Sequence, residues 1–172
     1  YNKDMVDWNY TGPKETAEIF NKYEKNKDTL IFDAGCGTGL VGLELKKYSF
    51  KNFHGADLSQ TLLDTVPKDL YQKLVKVDLN KPIEVEDNFY GGVMCVGTFT
   101  FGHVKPNALD EFIRITKPGG LICFTINEGI HEEYGFDKKI DILKDSKKWE
   151  EIEFFKSDYI ASKDVNAWLG LY

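Results

Sequence analysis

Residues 29–42 read TLIFDAGCGTGLVG, a short apolar run ending in an acid, then a turn with glycines at 35, 37, 39 and 42. LVGLELKKY follows at 40–48 with helical spacing. Glycine accepts positive φ and lets another molecule approach the main chain, and a helix start leaves backbone N–H groups without intrahelical partners. Strand, tight turn and helix start in this order are the opening unit of an α/β domain, and the turn is suited to a small polar ligand.

The rest of the chain continues the alternation. GPKETAEIFNKYEK (12–25) carries Pro13 at a helix start, with Ala17, Ile19, Phe20 and Tyr23 toward one face. A strand is expected at 52–57, then a helix capped by Ser59, strands at 74–78 and 90–97, and a helix over 105–120 that Pro118-Gly119-Gly120 ends. Gly91 and Gly92 suit a bulge or turn. LICFTIN (121–127) is almost continuously apolar, as in a parallel strand buried on both faces. Beyond 128 the pattern predicts a helix over 132–149 and strands at 150–160 and 165–172, close enough for an antiparallel hairpin. The expected fold is α/β, a doubly wound, Rossmann-like, seven-stranded and mostly parallel sheet with that hairpin at its edge.

At 172 residues the chain suits one domain, with 42% hydrophobic residues. A net charge of −6 supplies no global basic field for nucleic acid or an anionic membrane. No apolar run reaches the roughly 18–20 residues of a membrane helix, and no signal peptide is visible, so a cytoplasmic protein is expected. Cys36, Cys95 and Cys123 lack metal-ligand spacing and read as small hydrophobes; no metal site is expected. Tyr1 stands first in place of Met, which leaves the natural N-terminus open.

GTGLVG (37–42) matches the dinucleotide pattern G-x-G-x-x-G, and Asp57 lies 57 − 37 = 20 residues past its first glycine. An NAD(P)-dependent oxidoreductase is therefore one reading. The acids favour another. Asp33, Asp57 and Asp78 are expected to end the first three strands, and ligands of open α/β sheets bind at those carboxyl ends. Asp33 would repel a pyrophosphate, whereas a sulfonium, an ammonium, a ribose diol and an adenine amino group suit the three carboxylates. S-adenosylmethionine carries these groups and no phosphate. Taken singly, each Asp is equally a turn-former or helix cap.

LIFDAGCGTG resembles motif I of the class I S-adenosylmethionine-dependent methyltransferases, and GADLS, VDL and RITKPGGLICFT resemble later blocks of that superfamily, over about 29–127. YNKDM with YTGPKETAE, and VGTFTFGHVKPNALDEFIRITKPGGLICFT, resemble more narrowly the methyltransferase-like proteins named for the Williams–Beuren syndrome chromosome region. The resemblance implies a single methyltransferase domain: a cofactor-covering segment and helix (1–25), a cofactor-binding core (29–127), and a C-terminal helix and edge hairpin (128–172). It implies that Asp33 orders the glycine loop and reaches the methionine ammonium through water, with Gly35, Cys36, Gly37 and Gly39 along the ligand. Asp57 would hold the ribose hydroxyls beside Leu58, and Asp78 the adenine amino group beside Leu79. Val96 and Gly97 would face the methionine moiety, and Tyr10 would close over the cofactor or pack as an ordinary aromatic.

Methyl transfer from a sulfonium is an in-line displacement that orientation and water exclusion accelerate, so no covalent residue is required. The catalytic residue is not identified by the sequence; His103, just after strand four, is the best-placed base, or else a loop histidine shaping the pocket. VGTFTFGH lacks the Asn/Asp-Pro-Pro-aromatic sequence of many nucleic-acid and glutamine methylating enzymes, which favours a small-molecule acceptor, with a protein acceptor second. A non-catalytic S-adenosylmethionine-binding module would keep the same cofactor residues. S-adenosylhomocysteine is the expected product.

Overall fold

The structure is a computed structural model that describes residues 10–160 and 165–172. Seven strands form one sheet: β1 (Ile31–Ala34), β2 (Phe53–Asp57), β3 (Lys73–Lys76), β4 (Tyr90–Phe99), β5 (Thr116–Asn127), β6 (Glu153–Ile160) and β7 (Val165–Leu171). Their order is β3-β2-β1-β4-β5-β7-β6. β1 to β5 pair in parallel, while β7 runs antiparallel to both β5 and β6. This is the expected mostly parallel sheet with an antiparallel C-terminal hairpin at its edge.

Helices cover both faces because the central strands present apolar side chains alternately to each. Phe32, Val93, Cys95, Ile122 and Phe124 belong to one core, with residues of α4 (Ala108–Ile115), α5 (Glu128–His131) and α6 (Phe136–Asp145). Ile31, Met94, Val96 and Cys123 belong to the other, with residues of α1 (Gly12–Tyr23), α2 (Leu40–Lys47) and α3 (Gln60–Leu63). All three cysteines are free and buried, in keeping with small hydrophobes. Ser59 caps α3 as expected, its hydroxyl accepting from the Leu62 N–H at 3.3 Å.

Several boundaries differ from the sequence expectation. The helix expected over 105–120 stops at Ile115, and Thr116 is already extended. Lys117 precedes Pro118, a position biased away from the helical region, so the chain leaves the helix before the glycines. Pro118-Gly119-Gly120 instead lie inside β5, where Tyr90↔Thr116 is followed by Gly92↔Leu121, so four residues of β5 bulge past one of β4. Gly91 lies in this irregularity, whereas Gly92 is in register and a Cβ on it would stand 2.6 Å from the Phe20 ring. The helix expected over 132–149 is only α6, Phe136–Asp145, which starts after Gly135 takes a left-handed φ of 77° as its cap; the short α5 lies before the expected start. Asp33 is the penultimate residue of β1, and Asp78 lies two residues beyond β3; only Asp57 ends its strand.

Tyr10 bridges to Ile160 of β6, and the Thr11 N–H donates to the Tyr159 carbonyl at 3.1 Å, so the lead into α1 is attached beside the hairpin. Residues 1–9 of the expected cofactor-covering segment, and 161–164 of the hairpin, lie outside the described residues.

Candidate functional site

The sheet order reverses between β1 and β4, which opens a crevice at the carboxyl ends of these parallel strands. A cavity of about 500 Å³ lies there. The glycine turn forms one wall. Gly35, Gly37 and Gly39 have φ of 75°, 54° and 90°, and the Gly35 and Cys36 N–H groups both donate to the Ala56 carbonyl of β2, at 2.7 and 2.9 Å. A Cβ on Gly35 would stand 2.0 Å from Thr98 Oγ1, whereas one on Gly37 would meet no atom within 4 Å. Glycine at 35 thus admits a protein side chain, and glycine at 37 leaves the cavity wall open.

Asp57 stands opposite. Its Oδ2 accepts from the Gly37 N–H at 2.9 Å and its Oδ1 from the Ser59 N–H at 2.8 Å. The turn-forming role and the cavity-lining role therefore coincide in one carboxylate, which fixes the glycine turn relative to the start of α3. Asp78 also lines the cavity; its Oδ1 accepts from the Asn80 N–H at 3.0 Å, and Lys81 Nζ stands 3.9 Å from its Oδ2. Leu79 beside it is buried at 5% exposure, and Leu58 beside Asp57 projects at 62%. Val96 and Gly97 close the β4 side, with the Gly97 N–H donating to Thr125 Oγ1 at 2.9 Å and φ at 72°. Tyr10 lines the cavity above Gly97, where a Cβ would come within 2.5 Å of its hydroxyl.

Asp33 does not line the cavity. It is 1% exposed and lies beneath the glycine turn, since its side chain belongs to β1 before the turn opens. Burial pushes its carboxyl up to about 7, the Tyr71 hydroxyl donating to Oδ2 at 2.5 Å pulls it back, and Asp57 adds to the rise. Its Oδ1 is buried without a hydrogen-bond partner among the described residues. The three acids thus do not converge equally: Asp57 and Asp78 face the cavity, and Asp33 backs it. Burial also pushes the Cys36 thiol far above its ordinary range, which leaves it a neutral wall residue.

His103 lies at the exposed rim of the same cavity. Its carbonyl accepts from Asn80 Nδ2 at 3.3 Å, and Asn80 Oδ1 accepts from the Lys105 N–H at 2.9 Å, so one amide ties the His103 loop to the Asp78 loop. Sequence reasoning missed Asn80, Thr98, Thr125 and Tyr71. Asn80 follows the VDL block directly and could have been flagged there; Thr125 and Tyr71 carry no local signal, because their roles depend on partners 28 and 38 residues away. Among the described residues no group of three or more His, Cys, Asp and Glu side chains is arranged to hold a metal, and no helix is long and apolar enough to cross a membrane.

The family described as "Methyltransferase domain" matches residues 32–124, from β1 into β5. The chain belongs to this family, the class I S-adenosylmethionine-dependent methyltransferases. It is 30% identical over 157 residues to human methyltransferase-like protein 27, covering 87% of this chain and 64% of that protein. The chain spans 48% to 64% of the lengths of the curated relatives it matches. A TehB-like SAM-dependent methyltransferase from Corynebacterium glutamicum shares the methyltransferase fold with a TM-score of 0.64 at 18% identity, over 91% of this chain and 85% of that one. The [4+2]-cyclase SpnF does so with a TM-score of 0.71 at 12% identity, over 92% and 79%. The fold therefore carries chemistries other than methyl transfer, and activity must be argued from the site.

Proposed function

We propose that this methyltransferase domain binds S-adenosylmethionine in the crevice between β1 and β4 and transfers its methyl group to a small-molecule acceptor. The observation that carries the reading is the pairing of Asp57 and Asp78 with the open glycine wall at Gly37 around one cavity. Among the described lining residues none is Lys or Arg. The two carboxylates, with Lys81 Nζ only at the margin 3.9 Å from Asp78, suit a phosphate-free, positively charged nucleoside and oppose a pyrophosphate.

In this reading Asp57 accepts from the ribose hydroxyls through the lone pairs its two backbone bonds leave free. Asp78 accepts from the adenine amino group, whose ring lies between Leu58 and Leu79. The strand-four end at Val96 and Gly97, with Gly35 and Cys36 opposite, flanks the methionine moiety, and Tyr10 covers it. Asp33 acts from behind the turn, toward the ammonium through water. When bound, S-adenosylmethionine supplies an electrophilic methyl group on a sulfonium. The chain holds the acceptor in line, excludes water, and at His103 Nε2 or Nδ1 takes the acceptor's proton where the acceptor must lose one. The net charge of −6 supports a protein that leaves nucleic acid unbound.

Calorimetry tests the ligand. S-adenosylmethionine and S-adenosylhomocysteine are expected to bind, while NAD, NADP and a duplex DNA at physiological salt give no heat. Binding of NAD without either adenosyl compound overturns the reading. Incubation of a metabolite pool with a methyl-labelled donor then separates a transferase from a module that only binds, since the latter labels nothing.

A further inference from the structure

Tyr71 lies outside the cleft, on the loop between α3 and β3, yet four parts of the cofactor framework meet on it. Its hydroxyl donates to Asp33 Oδ2 of β1 at 2.5 Å. A Cβ on Gly42 of α2 would stand 2.7 Å from that hydroxyl oxygen, one on Gly55 of β2 3.0 Å from the ring, and one on the cap residue Gly39 3.3 Å from it. Two glycines of the apparent dinucleotide pattern, Gly39 and Gly42, therefore make room for an aromatic ring of the protein itself. The ring is buried and fills the space behind the turn, and its hydroxyl selects one oxygen of a buried carboxyl.

We propose that Tyr71 is a positioning residue of the cofactor site, whose hydroxyl orients Asp33 and keeps its carboxyl ionisable beneath the glycine turn, so that cofactor binding is linked to a proton on Asp33. The proposal rests on the cofactor reading above. The groups facing Asp33 are Tyr71, Asp57 at the end of β2, the Cys36 thiol of the turn and the Cys95 thiol of β4. Burial holds both thiols neutral, so among the described residues the Tyr71 hydroxyl is the facing group that favours the Asp33 anion. Among the described residues Asp33 Oδ1 has no hydrogen-bond partner. A cofactor bearing an ammonium prefers ionised Asp33, so binding releases the Asp33 proton and affinity rises with pH through the range in which Asp33 titrates.

The test is calorimetry with S-adenosylhomocysteine between pH 6 and 8.5 on wild type and Tyr71→Phe, which keeps the ring and removes only the hydroxyl. Wild-type affinity is expected to rise across this range. In Tyr71→Phe the rise moves to higher pH, so affinity falls about threefold to tenfold at pH 7 and recovers toward wild type at pH 8.5. A loss of affinity equal at every pH, or a profile identical to wild type, overturns the proposal. If Tyr71→Phe does not fold, Asp33→Asn serves: it keeps an oxygen for the Tyr71 hydroxyl and flattens the pH profile, and an unflattened profile overturns the proposal. Wild type that fails to bind S-adenosylhomocysteine at any pH rejects the cofactor reading and this proposal with it, whereas binding with a Tyr71-independent profile rejects this proposal alone.

Discussion

Asp57 shows how one carboxylate serves folding and binding together. Its two oxygens already hold the N–H groups of Gly37 and Ser59, so it ties the glycine turn to the start of α3 before any ligand arrives. The sequence pattern offers a choice between turn-former and ligand-binding acid; the geometry joins them. Asp57→Ala is therefore expected to lower unfolding free energy by about 1–3 kcal/mol, because two backbone donors lose a charged acceptor, and to weaken S-adenosylmethionine binding by at least about tenfold. Urea denaturation of the ligand-free variant and calorimetry on the same preparation check both. Reduced stability with unchanged affinity would remove the ribose assignment.

Elements are held in place by contacts whose partners the local pattern does not name. The Arg114 guanidinium at the end of α4 donates to the Val85 and Ile83 carbonyls, at 2.7 and 2.8 Å, and pairs with Asp87 and Glu111, both at 2.8 Å. Glu111 Oε2 in turn accepts from the Ile83 N–H at 2.8 Å, and the Arg114 hydrogen bond holds the Glu111 carboxyl below its ordinary range. The fork thus fastens residues 83–87 against α4 from a side chain only 30% exposed. Lysine has the charge and lacks the planar set of donors, so Arg114→Lys is expected to lose about 1–3 kcal/mol of stability in urea denaturation while cofactor affinity stays within twofold. Wild-type stability in this variant would show that the charge alone suffices. The helix patterns were legible at this scale, but their ends were not: the extended Thr116 ahead of Lys117-Pro118, and the left-handed Gly135, moved boundaries that periodicity had run through.

At the scale of the whole molecule, Asp33 sets a pH dependence of stability. Burial raises its folded carboxyl from 3.8 to about 7, so between these values the folded chain holds a proton that the unfolded chain has released. The unfolded state then binds fewer protons, and stability falls as pH rises through that window, with no such loss below it. Unfolding free energy is expected to fall less between pH 5 and pH 8 in Asp33→Asn than in wild type, as measured by urea denaturation at both pH values; equal falls would show that Asp33 ionises normally. This cost is what a binding site for a cation retains. The sheet type, the antiparallel edge hairpin and the glycine turn were determined by the sequence itself, because hydrophobic period and glycine punctuation are local properties of the chain. Only the tertiary structure decided that Asp33 lies behind the wall while Asp57 and Asp78 face the cavity, that Gly39 and Gly42 accommodate Tyr71, and that Asn80 fixes the His103 loop. Each of these depends on side chains brought together from distant strands by the packing of both sheet faces, and a distance in space has no signature in sequence spacing.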